Sequence, residues 1–554
     1  MISNSYHLFP PRLHPKMFPM RLTLLFVCTL CWTLASAQVS EGPWISDQGD
    51  GTYRNPIIYA DYSDPDVCRV GDDYYMTASS FQCLPGLPIL HSKDLVNWQL
   101  IGHALDHLEP REVYNSPDHG NGVWAPAIRH HNGKFYIYYG DPNYGIFMVS
   151  AENPAGPWTE PHLVQGGRGW IDPCPFWDED GNAYLVHAWA GSRAGIKSVL
   201  MMRHMTPDGK SLYGNPVVIF DGHKDNGTVE GPKMYKANGW YYVFAPAGGV
   251  STGWQLVLRA RDPFGPYEWR TVMAQGDTDI NGPHQGGWVQ TPQGEDWFIH
   301  FQDKEAYGRV VHLNPMTWGE DGWPVIGVDD DGDGVGEPVE TYQKPAVLAE
   351  QPVMVPLTSD EFNTPELGLQ WQWHANYHPK WGYPSGYLGY FRLNARPLPE
   401  DIPNLWPLPN MLLQKFPAET FTVTTRLDFH PNFDGERIGL IVMGRDYAYL
   451  SVGQEDGKLV LRQRSCEEAE AGTPETDEGR ARYAGETIYL RVEVKEGAMC
   501  TFSYSEDGED FETIGESFKA REGKWIGAKV GFFCTREGVI NNSGYADIDW
   551  FRVE

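Results

Sequence analysis

The chain has 554 residues, 41% hydrophobic and 13% aromatic, with 60 Gly, 43 Pro, 21 Trp and a formal charge of −30. That length excludes a lone small binding module, and a composition so rich in rings and turn formers excludes a disordered chain or a helical bundle, leaving an all-β architecture. The acidic balance, with no clustering of Lys or Arg, argues against nucleic acid as a partner.

At the N-terminus, Arg21 precedes an apolar run too short to span a bilayer, which ends in Ala35-Ser36-Ala37. Residues 1–37 therefore read as a signal peptide cleaved before Gln38, which implies a secreted or periplasmic protein with no membrane insertion after cleavage. The leader holds Arg12, Lys16 and Arg21 and no acid, so its removal makes the chain three charges more negative than −30. Six cysteines follow it, Cys68, Cys83, Cys174, Cys466, Cys500 and Cys534, without CxxC spacing. Neither a zinc site nor a disulfide framework is indicated.

Over residues 38–345 one pattern, a turn glycine feeding an aromatic strand, recurs five times. The glycines are Gly71, Gly133, Gly181, Gly239 and Gly294, spaced 62, 48, 58 and 55 residues apart, which is room for one four-stranded blade each. A five-bladed β-propeller follows. Seven to ten residues ahead of each glycine stand Asp64, Trp124, Asp172, Glu230 and His284. The strand before that hairpin is the innermost of its blade, so these places are expected to be equivalent and to converge on the axis. A single acid beside a turn is ordinarily a turn former. Three that meet in one concave site are what glycoside cleavage needs, with one protonated to serve the leaving oxygen and one ionised to act at the anomeric side.

At these residues the chain resembles glycoside hydrolase family 43, in the branch of exo-acting β-xylosidases and α-L-arabinofuranosidases. The carrying segments include SDPD (63–66), GVWAP (122–126), IDPCP (171–175), EGPK (230–233), GPHQGG (282–287) and YGR (307–309), which run through the whole propeller. The resemblance implies an inverting mechanism with Asp64 as general base, Glu230 as general acid, and Asp172 raising the pKa of the acid and holding the sugar. It implies further that Arg309 holds a sugar hydroxyl and that Phe81 and Trp124 wall the pocket. His284 is similar to an axial histidine that contacts a bound cation or its water, with a plain hydrogen-bonded structural histidine as the alternative. The chemistry requires no cofactor, and the partner is an oligosaccharide or polysaccharide of plant cell walls.

From pattern alone, Asp329, Asp331, Asp333 and Glu340 fit a twelve-residue calcium-loop spacing with Gly334 at its turn. Trp323-Pro324 before the loop and Pro338 within it exclude the flanking helices of an EF-hand, so a calcium loop competes with an acidic surface turn. Residues 346–358 read as a linker. Over residues 359–554 the texture changes to period-two strands, at 420–429, 438–442, 459–463, 488–494, 501–504 and 526–533, which read as a β-sandwich. Its start and end resemble the concanavalin-like domain appended to many family 43 exo-enzymes, which in some of them lends a loop to the pocket rim; none of its residues here is marked as that loop. Glu467–Arg480 reads as a loop.

The resulting expectation is an exo-acting inverting hydrolase removing terminal β-D-xylose or α-L-arabinofuranose. The rivals are an endo-arabinanase, a retaining fructosidase and a non-catalytic glycan-binding propeller. The segment from Phe81 to Pro88, which resembles a pocket wall, opposes the first, and Ile171 ahead of Asp172-Pro173, where a fructosidase carries Arg, opposes the second. Retention of all three carboxylates opposes the third.

Overall fold

The computed structural model describes residues 42–349, 351–398, 402–538 and 541–554, and the leader expected at 1–37 lies outside them. Among the described residues no helix is long and apolar enough to cross a membrane.

Five four-stranded antiparallel sheets follow one another along the chain, each with its strands in sequence order. The first contains Asp66–Val70, Asp73–Thr77, Gly86–Ser92 and Gln99–Leu105; the others open with Trp124–His131, Trp170–Trp177, Lys233–Ala237 and His284–Gln290. All five repeat glycines fall in the turn after the opening strand with φ between 65° and 89°, a backbone that disfavours any residue with a Cβ. The opening strands pack round a common axis, the fifth against the first. Two contacts near the chain's start close the ring. Ile58 and Val311 exchange backbone hydrogen bonds, and Thr52–Arg54 pairs antiparallel with Thr341–Gln343.

Two eight-stranded sheets form the C-terminal sandwich. Strand Phe421–His430 shows why it forms, since Phe421, Val423, Thr425, Leu427 and Phe429 are buried and the residues between them are partly exposed. The stretch expected as a loop at 467–480 is in part a strand. Thr476–Arg482 pairs with Lys458–Cys466, and Asp477 bridges Arg462 and Arg464 across the pair at 3.1 and 2.6 Å. Its acids meet polar partners on the neighbouring strand, Asp477 the two arginines and Glu478 the Ser465 hydroxyl at 2.6 Å, so no apolar alternation betrays it. All six described cysteines are free thiols.

Propeller and sandwich share one core, because Tyr59, Ala306, Tyr307 and Val310 of the propeller cluster with the sandwich's Trp371, Phe416, Val530 and their neighbours. Polar contacts lock the same seam. Leu84 and Trp373 exchange backbone hydrogen bonds of 3.0 and 2.6 Å, Asn376 Oδ1 accepts the Leu108 N–H at 2.8 Å, and the Ala528 N–H reaches the Ala306 carbonyl at 2.7 Å.

Candidate active site

A pocket of about 640 Å³ opens at one mouth of the propeller axis, lined among others by Asp64, Phe81, Trp124, Asp172, Glu230, Gln285, Arg309 and Trp525. Its floor is made by five backbone irregularities. Asp64, Ala125, Asp172, Gly231 and Gln285 have φ of 53°, 31°, 55°, 58° and 44°. In blades 2, 3 and 5 the strand register skips one residue there. A left-handed residue at a bulge aims its neighbours out of the ladder, and four of the five are followed by proline, which has no N–H to leave unpaired. Asp and Gly tolerate this backbone best. Strain of this kind concentrates where function requires it.

This geometry corrects the expected equivalence by one residue. Asp64 and Asp172 are themselves the left-handed residues of their blades, whereas Trp124, Glu230 and His284 each stand one position before theirs. In blade 4 Gly231 takes the left-handed place, and the longer glutamate side chain converges from the neighbouring position.

Asp64 Oδ2 accepts hydrogen bonds from the hydroxyls of Ser79 at 2.6 Å and Ser63 at 3.1 Å, and Arg309 Nη1 lies 3.3 Å from Oδ1. The same Arg309 nitrogen donates to Ser63 Oγ at 2.6 Å, and its backbone N–H is held by Asp61 Oδ1 at 3.0 Å. Asp172 Oδ2 accepts the Gly231 N–H at 2.7 Å and the Gln285 amide at 3.4 Å. Burial, then the neighbouring Glu230 carboxylate, push Asp172 up to about 8. A carboxyl so raised keeps its own proton into the neutral range. Beneath the floor, Lys233 is fully buried and its ammonium donates to the Pro126 carbonyl at 3.1 Å, tying blade 4 to blade 2.

Phe81 and Trp124 stand as walls with ring centroids 6.4 Å apart, and Trp124 is fixed by its Nε1–H on the Gly120 carbonyl at 2.9 Å. His284 is fully buried behind the floor, with Nε2 2.9 Å from Glu230 Oε1, so it holds the glutamate, the arrangement of a hydrogen-bonded structural histidine. Its Nδ1 has no hydrogen-bond partner among the described residues. The grouping of potential metal ligands found among the described residues is Asp329, Asp331 and Asp333, whose ligand atoms lie within 4.8 Å of one another. Glu340 is exposed and outside that group, so the twelve-residue calcium spacing is not realised as a closed shell. The three aspartates also accept backbone N–H groups of their own loop, including those of Gly332 at 2.8 Å and Gly334 at 2.9 Å.

One wall had no signal in the sequence. Trp525 comes from the sandwich, on a loop docked to the propeller by the Gly527 N–H on Asp61 Oδ2 at 3.1 Å and by Ile526 packed against Phe81 and Cys83. Its ring lies 6.2 Å from that of Trp124, and the Arg309 guanidinium sits 5.7 Å above it. Asp61 thus grips both Arg309 and the loop that brings Trp525.

The profile of Glycosyl hydrolases family 43 matches residues 53–324, and that of the β-xylosidase C-terminal concanavalin A-like domain matches residues 359–554. A Xylanibacter ruminicola protein provisionally named a β-xylosidase is 39% identical over 90% of this chain and 89% of its own. A non-reducing end α-L-arabinofuranosidase of Bacteroides ovatus is 30% identical over 90% of this chain and 94% of its own. Among solved structures, the family 43 protein BlXynB of Bacillus licheniformis superposes with a TM-score of 0.77 at 26% identity, over 91% of this chain and 99% of that one.

Proposed function

The chain belongs to glycosyl hydrolase family 43, and from its pocket we propose that it removes single β-D-xylose or α-L-arabinofuranose units from non-reducing ends with inversion of configuration. It is a glycoside hydrolase acting on carbohydrate, and the chemistry of its family calls for no cofactor. Asp64 is the base that takes a proton from water, oriented by Ser79 and Arg309. Glu230 is the acid, backed by His284, and Asp172 is the second carboxylate that keeps a proton on the acid and faces the sugar.

The observation that carries this reading is the separation of one carboxylate, Asp64, paired to Arg309, from Glu230, which His284 holds on another blade beside the buried Asp172. Two carboxyl groups set on different blades meet the requirement of acid and base acting from opposite sides of the ring. The wall from Trp525 supports the exo mode over an endo-arabinanase, since an endo enzyme needs a cleft open at both ends. Proton NMR of the first-formed anomer from xylobiose, alongside hydrolysis of 4-nitrophenyl β-D-xylopyranoside and α-L-arabinofuranoside, tests the reading. Initial release of the retained anomer would make Asp64 a nucleophile and overturn it.

A structural calcium ion is assigned only to the loop of Asp329, Asp331 and Asp333. Calcium should then raise Tm and a chelator lower it; an unmoved Tm would leave the loop an acidic turn.

A further inference from the structure

One cation in the pocket balances nothing. Lys197 lines it beside Gly191, Ser192, Gly195 and Ser198, and among the described residues its ammonium has no ion pair or hydrogen bond. The other cation lining the pocket, Arg309, is engaged with Asp64 and Ser63. The stem of Lys197 is laid along the backbone of Gly191, since a methyl group added there would meet its Cβ at 3.3 Å, Cδ at 3.5 Å and Cγ at 3.6 Å. The stem and Gly191 thus form one stretch of the pocket lining.

Its side of the pocket is fixed by its neighbour. Ser198 Oγ accepts the N–H of Thr228 at 2.8 Å, and the Ser198 carbonyl accepts the N–H of Gly222 at 2.8 Å. Those two bonds stitch Lys197 to the segment that runs directly into Glu230, away from Asp64 on blade 1. A general acid stands where the leaving oxygen departs. Lys197 therefore borders the part of the substrate that leaves.

We propose that Lys197 is a specificity residue that recognises a carboxylate on the leaving portion, so that the substrate class includes acidic, uronic-acid-bearing oligosaccharides. The inference rests on the assignment of Glu230 as the acid. The electrostatic need is plain, since the chain carries −30 and the pocket floor three carboxylates, and an anionic substrate meets repulsion unless a local cation offsets it. Lys197 is exposed to solvent and so is free to meet such a group at the pocket's edge.

The test compares kcat/KM for 4-carboxyphenyl β-D-xyloside with that for its methyl ester, in wild type, K197M and K197R, across pH and salt. The difference in leaving ability between the two phenols is common to all three proteins and cancels. The ratio of acid to ester should fall about threefold in K197M and be kept in K197R, as for a partly exposed ion pair. In wild type it should shrink towards the K197M value at about 0.5 M salt. An equal ratio in wild type and K197M overturns the proposal. So does a loss on both substrates together with a moved basic limb, which would mean that Lys197 acts through the acid. If wild type cleaves neither these xylosides nor the matching arabinofuranosides, the hydrolase reading fails first.

Discussion

Asp172 is the residue at which chemistry and stability pull in opposite directions. Its carboxyl is completely buried and held up at about 8, against 3.8 when unperturbed, so the folded protein binds a proton there that the unfolded chain has released through most of that interval. Stability from this group is therefore present at low pH and is lost as pH rises from about 4 towards 8. In Asp172→Asn the amide keeps an acceptor for the Gly231 N–H and carries no charge to bury. Its Tm should exceed that of the wild type by a margin that grows between pH 4 and 8, read by thermal melts at a series of pH values. The same change removes a neighbouring group whose negative charge opposes ionisation of Glu230, so the basic limb of the pH–rate profile should move to lower pH. A variant that is stabilised but keeps its basic limb would show that Asp172 only positions substrate.

The decisive elements are the left-handed residues at the head of the opening strands and the sandwich loop over residues 521–528. The three acids were legible in the sequence because each stands beside a proline or glycine at a repeated distance from a turn. Their one-residue offset was not, since it depends on where the left-handed residue falls in the register, and Asp64, Asp172 and Gly231 satisfy that backbone with different side chains. Trp525 was illegible for another reason: what brings it to the pocket is Asp61, a residue at the far end of the chain, and no local pattern records that contact. Trp525 also has a left-handed φ of 66° while 46% exposed, a conformation held by its flanking contacts for the sake of where the ring sits. Trp525→Ala should raise KM with a smaller effect on kcat, lowering kcat/KM about tenfold, the worth of one aromatic wall together with its contact to Arg309. Steady-state kinetics on xylobiose reads this directly. An unchanged KM would make the loop a buttress.

At the scale of the whole molecule, the exo mode is a property of the two domains together. The propeller supplies a closed floor and the walls Phe81 and Trp124, and the sandwich closes a further side with Trp525. The seam is a continuous core around Tyr59, Ala306, Tyr307 and Val310, and a chain cut after residue 345 would expose that apolar surface, so the isolated propeller should aggregate or melt at much lower temperature. In the intact protein a pocket shut on these sides admits one terminal ring. A pentose fits between the walls, whereas a hexose brings a hydroxymethyl group to the rim, where Phe81 is only 2% exposed and packed against Cys83 and Ile526 and has no room to yield. Activity on glucosides and galactosides should therefore be at least about a hundredfold below that on pentosides, the upper range for a steric mismatch of this size. Xylo- and arabino-oligosaccharides should shorten one unit at a time from the non-reducing end. Chromatography of early digests of a pentaose decides the point: a monosaccharide with a tetraose is the expected pair. Dimers and trimers at the outset would mean that substrate runs past Trp525 through an open cleft.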